Sequence, residues 1–368
     1  MTTSPPRILF LYRECSLPGM TDALMARATR TVGCQNKTPG QDWPHALYSR
    51  GVHYELAREL HAGKYDLLFT MSDPELRWRP EASLLRNVWT HVKKSSAHPS
   101  AFGIPRLTAE ASAAGVPVVV YDDEDNQEIA LKNWPLLDQA AVYFKAQVPA
   151  NPFHCFLFQT RRTESIWNVF KKPEFQERAS KVEPISAGFE VPAYLDECLA
   201  PEKKSDVFFS GGVDYSLPRK QGREILLRLR DEGLRVDIPE ERLDHRSFLR
   251  RMSEAWLTLS PEGASPDSFR FYEAPMVKSV PLINNLGHRR HFPHRDREHC
   301  LYYHVEGDDL ADKIRWALER KDLLREIAAR SHEFVLAHHQ YHQLVDFMIT
   351  RGLETVRLSR LEDAPPDG

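Results

Sequence analysis

Cysteine is scarce in this 368-residue chain: Cys15, Cys34, Cys155, Cys198 and Cys300 are scattered and odd in number. Such usage excludes a disulfide-stapled scaffold and fits free thiols in a reducing, cytoplasmic compartment. Long apolar runs are missing as well. Residues 1–6 are short and polar, and the apolar run at 8–12 is far too brief for a signal-peptide core or a membrane span. Excess positive charge is absent: 49 Lys and Arg face 52 Asp and Glu, for a net charge of −3 and a pI near 6.6. No overall field therefore recruits nucleic acid or anionic lipid, although peripheral membrane contact through a local basic patch stays open. A Gly-x-Gly-x-x-Gly fingerprint and a Gly-Lys-Ser/Thr loop ending are both lacking, which excludes the usual dinucleotide and Walker-type sites. There is no internal repeat, and low complexity is confined to a polar tail at 362–368.

What the chain does contain is a soluble globular composition, 42% apolar and 27% charged, at a length that accommodates two domains. Its first half alternates short apolar runs with helical patterns. Residues 7–12 (RILFLY), 65–70 (YDLLFT), 116–121 and 140–144 read as buried strands. Residues 48–62 carry Val52, Leu56 and Leu60 on one helical face and stop at Gly63; a second helix, 107–114, stops at Gly115. Carboxylates directly after parallel strands are first candidates for a general base that deprotonates a hydroxyl, which singles out Asp73 and Asp122. The blander reading of the acidic run 122–125 is a solvated turn capping the next helix. Residues 153–158 form an added apolar segment, and the charged, aromatic stretch 160–179 has no clear place. Residues 185–192 (ISAGFEVP) read as an interdomain connector.

The second half is more informative. Residues 206–210 (DVFFS) form a strand running into Gly211 and Gly212, and after a loop Arg219, Lys220 and Arg223 open an amphipathic helix with Ile225, Leu226 and Leu229 inward. Glycines and cations at a strand-to-helix junction suit a diphosphate, and the bland alternative is a solvated helix start. A strand at 234–238 and a helix at 248–255 follow, then the stretch 255–285: an apolar run, the loop SPEGASPDS, a helix from Ser268, and a second apolar run at 280–283. Strand, loop, helix, strand is one unit of a parallel sheet, and ligands of such sheets sit beyond the carboxyl ends of the strands. Small residues at Gly263, Ala264 and Ser265 let a ligand approach the backbone. Ser268 is the expected N-cap, leaving the N–H groups of Phe269 and Arg270 to face a phosphate. Glu273, one turn further on, is placed to accept hydrogen bonds from paired hydroxyls such as those of a ribose; otherwise it is a carboxylate that merely caps its helix. Helices are expected at 310–319, 323–339 and 341–357.

The wording SFRFYEA before a valine-proline strand resembles the nucleotide-binding segment of exostosin-type glycosyltransferases. It is also similar to the acidic motif of glycogen-synthase-like retaining transferases, where two glutamates bracket a glycine-containing loop. Here the pair is Glu262 and Glu273, eleven positions apart and wider than that family's spacing, while Lys220 and Gly222 resemble a shifted form of its lysine-glycine pair. The resemblance implies an α/β protein of two Rossmann-like, doubly wound domains facing each other across a cleft (GT-B). Its parts are an acceptor-side domain at 1–185, a nucleotide-sugar domain at 186–340, and a helix at 341–361 crossing back to the first. It implies a glycosyltransferase moving a sugar from a nucleotide-diphosphate donor to a glycan or small-molecule acceptor, with no metal or other cofactor. Gly211, Gly212, Arg219, Lys220, Arg223, Glu262, Ser268, Phe269, Arg270 and Glu273 would hold the donor. Whether the anomeric centre inverts, and so whether Asp73 or Asp122 acts, is left open. Alternatives are an epimerase or phosphorylase on the same fold, and a non-catalytic nucleotide- or sugar-binding protein.

One further cluster calls for explanation. His288, His291, His294, His299 and Cys300 crowd into HRRHFPHRDREHC. The spacing matches no standard zinc site and the interleaved arginines would repel a cation, so a surface loop or an anion-facing loop of cations is expected. His332, His338, His339 and His342 read as packing or surface residues.

Overall fold

The computed structural model of the protein describes residues 4–12, 18–34, 46–72, 100–159, 170–214, 216–263, 265–284, 287–305 and 309–362. The chain divides into two compact units, Met1–Ile185 with Val345–Gly368, and Ser186–Leu344. Asp73, Ala264 and the tail at 363–368 lie outside the described residues, as does the first half, 160–169, of the unplaced stretch at 160–179.

The first unit is built on a seven-stranded parallel sheet. Its strands are β1 (Ile8–Tyr12), β2 (Arg30–Gly33), β3 (Ala46–Leu47), β4 (Leu67–Met71), β5 (Val118–Asp122), β6 (Val142–Lys145) and β7 (Val182–Pro184), in the order β3-β2-β1-β4-β5-β6-β7. Leu9 lies opposite Leu68, Leu68 opposite Val118, and Val119 opposite Val142. The central strands β4 and β5 are buried along their whole length. Burial on both faces is why they read as continuous apolar runs instead of alternating ones. Around the sheet lie α1 (Pro18–Arg27), α2 (Arg50–His61), α3 (Ser100–Ala113), α4 (Trp134–Gln139) and α5 (Pro173–Lys181). The Ser49 hydroxyl caps α2 by accepting from the Val52 N–H at 3.2 Å, and Gly63, at φ +65°, takes the left-handed turn that ends it. The apolar segment after residue 152 is a 3₁₀ helix, Pro152–Gln159.

The second unit holds a five-stranded parallel sheet of β8 (Ser205–Phe208), β9 (Val236–Asp237), β10 (Ala255–Leu259), β11 (Val280–Asn284) and β12 (Leu301–Tyr303), in the order β9-β8-β10-β11-β12. Its helices are α6 (Leu217–Asp231), α7 (His245–Ser253), α8 (Arg270–Met276), α9 (Leu310–Leu318) and α10 (Lys321–His338). Successive strand residues face opposite sides. Leu257, Leu259 and Leu282 pack with Leu226, Leu229 and Ile314 on one face. Phe208 and Ile283 pack with Leu249, Met252, Phe271 and Val335 on the other. The sheet is therefore doubly wound. The expected strand at 234–238 shrinks to two residues at the sheet edge, and the helix expected at 248–255 starts earlier, at His245, because Asp244 caps it by accepting from the Ser247 N–H at 3.0 Å.

The last helix, α11 (Tyr341–Glu362), belongs to the first unit from Val345 onward. Its buried residues include Val345 and Met348, Phe347 meets the Phe144 ring edge-on at 5.8 Å, and Arg351 pairs with Glu183 at 2.8 Å. At the buried Gly352 a Cβ would overlap the Val119 side chain and lie 3.1 Å from Leu67. Gly352→Ala thus sets a helix-propensity gain of about 1 kcal/mol against overpacking of about 1–3 kcal/mol. The expected outcome is net destabilisation of roughly 1 kcal/mol, read as a lower urea midpoint; an unchanged or higher midpoint would show that α11 does not press on the sheet there.

Candidate functional site

In the second unit the strand order reverses between β8 and β10. The crossover from β8 leads outward to β9, whereas that from β10 leads the other way to β11. A crevice at the carboxyl ends of two such strands is where doubly wound sheets bind ligands. Two segments frame it: residues 209–214 after β8 and residues 260–269 after β10.

A glycine in each segment is faced by an arginine from the helix that follows the other segment. A Cβ on Gly211, after β8, would lie 2.6 Å from Nη2 of Arg270, the first residue of α8. A Cβ on Gly263, after β10, would run into the guanidinium of Arg219 in α6. Only glycine leaves room for a guanidinium against the backbone at these two points. Arg219 is buried and Arg270 half-buried. The sequence dictates this locally: Ser216 caps α6, accepting from the Arg219 N–H at 3.4 Å and donating to the Glu262 carbonyl at 2.7 Å. The Glu262 N–H in turn donates to Asn284 Oδ1 at 2.8 Å, tying the loop to the end of β11. Burial pushes the half-buried Glu262 carboxyl up, partly offset by its bond with Asn284.

Ser268 does not cap α8. The helix starts at Arg270 with Phe269 as its N-cap residue in helical conformation and without a side-chain cap; the Ser268 carbonyl accepts from the Phe271 N–H at 2.8 Å. The Ser268 hydroxyl instead accepts from Arg270 Nη1 at 3.3 Å, so it steers the arginine. Phe269 is 48% exposed. Gly212 is exposed, and so are Lys220 and Arg223, whereas Gly222 packs under Leu259, where a Cβ would come within 2.9 Å. Of the three cations expected for a phosphate, Arg219 is the one that meets the loop after β10, at Gly263, while Lys220 and Arg223 are exposed; Gly222 has a packing reason for its identity.

Glu273 accepts from His245 Nε2 at 3.4 Å, and the other ring nitrogen of His245 meets the Tyr194 hydroxyl at 2.8 Å. The bond with Glu273 raises the His245 pKa above its ordinary value, outweighing burial. Beneath the loop, Asp267 is buried and accepts from the Tyr272 hydroxyl at 2.5 Å and the Ala187 N–H at 3.5 Å; burial holds its carboxyl above the usual range despite the nearby Arg290. His245, Tyr194 and Asp267 were not legible as site residues, although Asp244 and Ser247 mark the helix start that carries His245.

Asp122, expected as a base, sits differently. It and Lys145 are fully buried and 3.4 Å apart. Its Oδ1 accepts from Ser72 Oγ at 3.2 Å and the Glu124 N–H at 3.0 Å, and its Oδ2 from the Tyr143 hydroxyl at 2.7 Å. A carboxylate so enclosed anchors the ends of β4, β5 and β6 and is not presented to a substrate hydroxyl.

The histidine loop runs along the surface, with Arg289, Phe292, Arg295, Asp296 and Arg297 exposed, but it turns most of its histidines inward. His291, His294, His299 and Cys300 are buried together with His339. The His294 and His339 rings stack at 5.5 Å, His299 stacks on Phe334 at 4.0 Å, and Ser186 Oγ lies 2.8 Å from His339 Nδ1. Among the described residues no three His, Cys, Asp or Glu side chains converge as a metal site. Burial drives the His291 pKa down to about 4 and that of His294 to about 3. A separate cavity of about 740 Å³ opens between α6 and the end of β12, lined by Leu217, Gln221, Ile225, Arg228, Tyr303 and His304 among others; Arg219, Arg270 and Glu273 do not border it.

The profile of a family described as glycosyl transferase-like matches residues 231–350. No curated protein matches the chain in sequence. Among solved structures, a glycosyltransferase from Rickettsia africae is similar at a TM-score of 0.51 and 10% identity, covering 98% of this chain and 100% of that one. HepE of Anabaena in complex with UDP is similar at 0.50 and 12%, covering 96% and 100%. The α,α-trehalose 6-phosphate synthase of Burkholderia multivorans is similar at 0.50 and 8%, covering 99% and 100%.

Two outcomes follow from the buried charges. Asp122→Asn leaves Lys145 buried without a counter-charge and is expected to cost about 3–5 kcal/mol, seen as a large drop in the urea midpoint; a change below about 1 kcal/mol would place the pair in solvent. The histidines titrate below their unfolded value near 6.5, so their contribution is complete above that pH and is lost as pH falls from about 6.5 toward about 4. At about 1.4 kcal/mol per pKa unit, protonating His291 and His294 removes on the order of a few kcal/mol. The midpoint should fall over that window, and fall less in His294→Leu. Together, fold and sequence give a chain with the GT-B fold whose glycosyl transferase-like segment, 231–350, lies almost wholly in the second unit.

Proposed function

We propose that the chain binds a nucleoside-diphosphate sugar at the carboxyl ends of β8 and β10 and transfers the sugar to a hydroxyl of a glycan or small-molecule acceptor. The observation that carries this reading is the reciprocal bracket of Arg270 on Gly211 and Arg219 on Gly263 at the switch point. Guanidiniums stay charged at any working pH and grip phosphate oxygens through two N–H groups at once. As the glycosidic bond breaks, negative charge builds on the departing diphosphate, and fixed cations there stabilise the transition state more than the ground state. Two guanidiniums supply that charge without a divalent ion. Glu273, bonded on Oε1 by His245, accepts from the ribose hydroxyls. Exposed Phe269 offers an apolar ring beside Arg270. Asp73 is kept as the proposed base of an inverting course; Asp122 is assigned to structure.

HepE of Anabaena was solved with UDP, which makes UDP the first probe. Thermal shift with UDP, GDP, ADP, CMP and dTDP is expected to raise Tm for at least one, and at about a hundredfold over Kd the stabilisation is about 2.7 kcal/mol. Arg219→Gln and Arg270→Gln should each weaken the best nucleotide at least about tenfold and lower kcat for transfer by about 10²–10³. Lys220→Ala and Arg223→Ala should change its affinity by less than about threefold. No shift with any nucleotide, or equal losses at all four positions, would overturn the assignment.

A further inference from the structure

The pairing of Glu273 with His245 has a directional logic that the nucleotide reading alone does not require. An ionised carboxylate only accepts hydrogen bonds, so the nitrogen facing Glu273 Oε1, His245 Nε2 at 3.4 Å, must carry a proton. In the neutral ring the other nitrogen, Nδ1, is then an acceptor. Tyr194 Oη lies 2.8 Å from it and donates its proton there. The carboxylate thus sets which nitrogen carries the proton, and the tyrosine hydroxyl, able to donate or accept, anchors the opposite side of the ring.

The ring's plane is fixed as well as its protons. His245 is the first residue of α7, whose N-terminus Asp244 caps through the Ser247 N–H and hydroxyl. Its ring stacks on Phe248 at 6.4 Å and 18° and meets Tyr194 edge-on at 6.2 Å. Phe248 in turn packs against Phe208, the last residue of β8. Tyr194 is held from its far side by Arg246, whose guanidinium lies 4.7 Å from the ring centroid and pairs with Glu197 at 3.1 Å. The Glu273 side chain is 17% exposed, so with Oε1 occupied its remaining acceptor capacity is what a ligand meets. His245 itself is 49% exposed, more than a residue retained for packing needs.

We infer that His245 is a positioning residue for Glu273: the relay Tyr194–His245–Glu273 holds the carboxylate in the one rotamer that presents it to the vicinal hydroxyls of the ligand's pentose. The inference rests on the reading of Glu273 as the ribose acceptor. It assigns discrimination between ribose and deoxyribose to three side chains brought together from positions 194, 245 and 273. An unheld glutamate has to lose side-chain freedom at the moment of binding, which weakens the diol contact without touching the phosphate grip.

The experiment is a calorimetric titration of the full chain with UDP, GDP and ADP, each beside its 2′,3′-dideoxy form, using whichever base binds tightest. The wild type should prefer the ribose form by at least about tenfold. In His245→Ala that preference should collapse to within about threefold of unity, with affinity for the dideoxy form unchanged. His245→Gln, which keeps a donor at the same reach, should restore most of the preference, and Tyr194→Phe should give an intermediate value. Urea midpoints of all variants report folding. Should His245→Ala unfold, the Gln and Phe variants decide: a full preference in Tyr194→Phe and none in His245→Gln overturns the relay. A wild-type preference in His245→Ala, or an equal loss for both ligand forms without rescue by Gln, also overturns it. The two failures separate through Glu273→Ala: if that variant loses the preference while His245→Ala keeps it, the ribose reading stands and the relay falls. If Glu273→Ala keeps the preference, the ribose reading itself is wrong.

Discussion

Everything at the switch point of the second unit depends on two guanidiniums pressed against backbone that has no side chain. Arg270 occupies the space a Cβ on Gly211 would take, and Arg219 does the same at Gly263. The geometry is reciprocal: each loop supplies the glycine that is covered by an arginine from the helix following the other loop. A guanidinium cannot shed its proton, so the fold commits fixed positive charge to a point where two strands end and two chains diverge. Such charge helps only if it is already in place when an anion arrives, because reorienting dipoles or side chains during the reaction would consume the benefit.

The surrounding structure holds those two side chains still. Ser216 joins the first turn of α6 to the Glu262 carbonyl, and Asn284 fastens the Glu262 N–H to the end of β11. Gly222 lets α6 lie close on Leu259. Under the β10 loop, Asp267 is fixed by the Tyr272 hydroxyl, and Tyr272 packs against Phe189 at 6.3 Å and His339 at 5.0 Å. The buried histidines are therefore continuous with the floor of the site. Their neutral rings pack like aromatics at ordinary pH, and that packing is what acid would disrupt.

The fold was largely legible because strands buried on both faces announce themselves: ILFLY, LLFTM and VVVYD are apolar at every position that matters. Strands of three or four residues with polar members, Arg30–Gly33, Val182–Pro184 and Leu301–Tyr303, were missed, since nothing local distinguishes them from loops. At the candidate site, Arg219, Gly211, Gly263, Arg270 and Glu273 stand out in the sequence from their place between a strand end and a helix start. Tyr194 and His245 could not, because only the tertiary fold brings them to Glu273. The histidine loop shows a related effect: Arg289, Arg295 and Arg297 are exposed as a surface loop implies, yet Arg290 lies 4.9 Å from the Phe271 ring and the histidines beside it are buried by tertiary packing. Ser268 misled because α8 begins one residue later than its cap chemistry suggests, with Phe269 in the cap position.

Asp122 and Glu273 show why position relative to a strand end does not by itself make a functional carboxylate. Asp122 closes β5 and Glu273 lies one helical turn past the loop after β10, so both lie close to the carboxyl end of a parallel strand. Asp122 is fully buried, each oxygen carries hydrogen bonds, and Lys145 neutralises it from 3.4 Å. Its lone pairs are spent inside the protein, and disturbing any of them strands a buried charge. The Glu273 carboxylate has, among the described residues, one longer bond from a ring nitrogen and keeps part of its surface open. The difference is one of unspent hydrogen-bonding capacity, and that capacity is set by the residues that arrive from elsewhere in the fold: a lysine and a tyrosine in one case, a histidine steered by a tyrosine in the other.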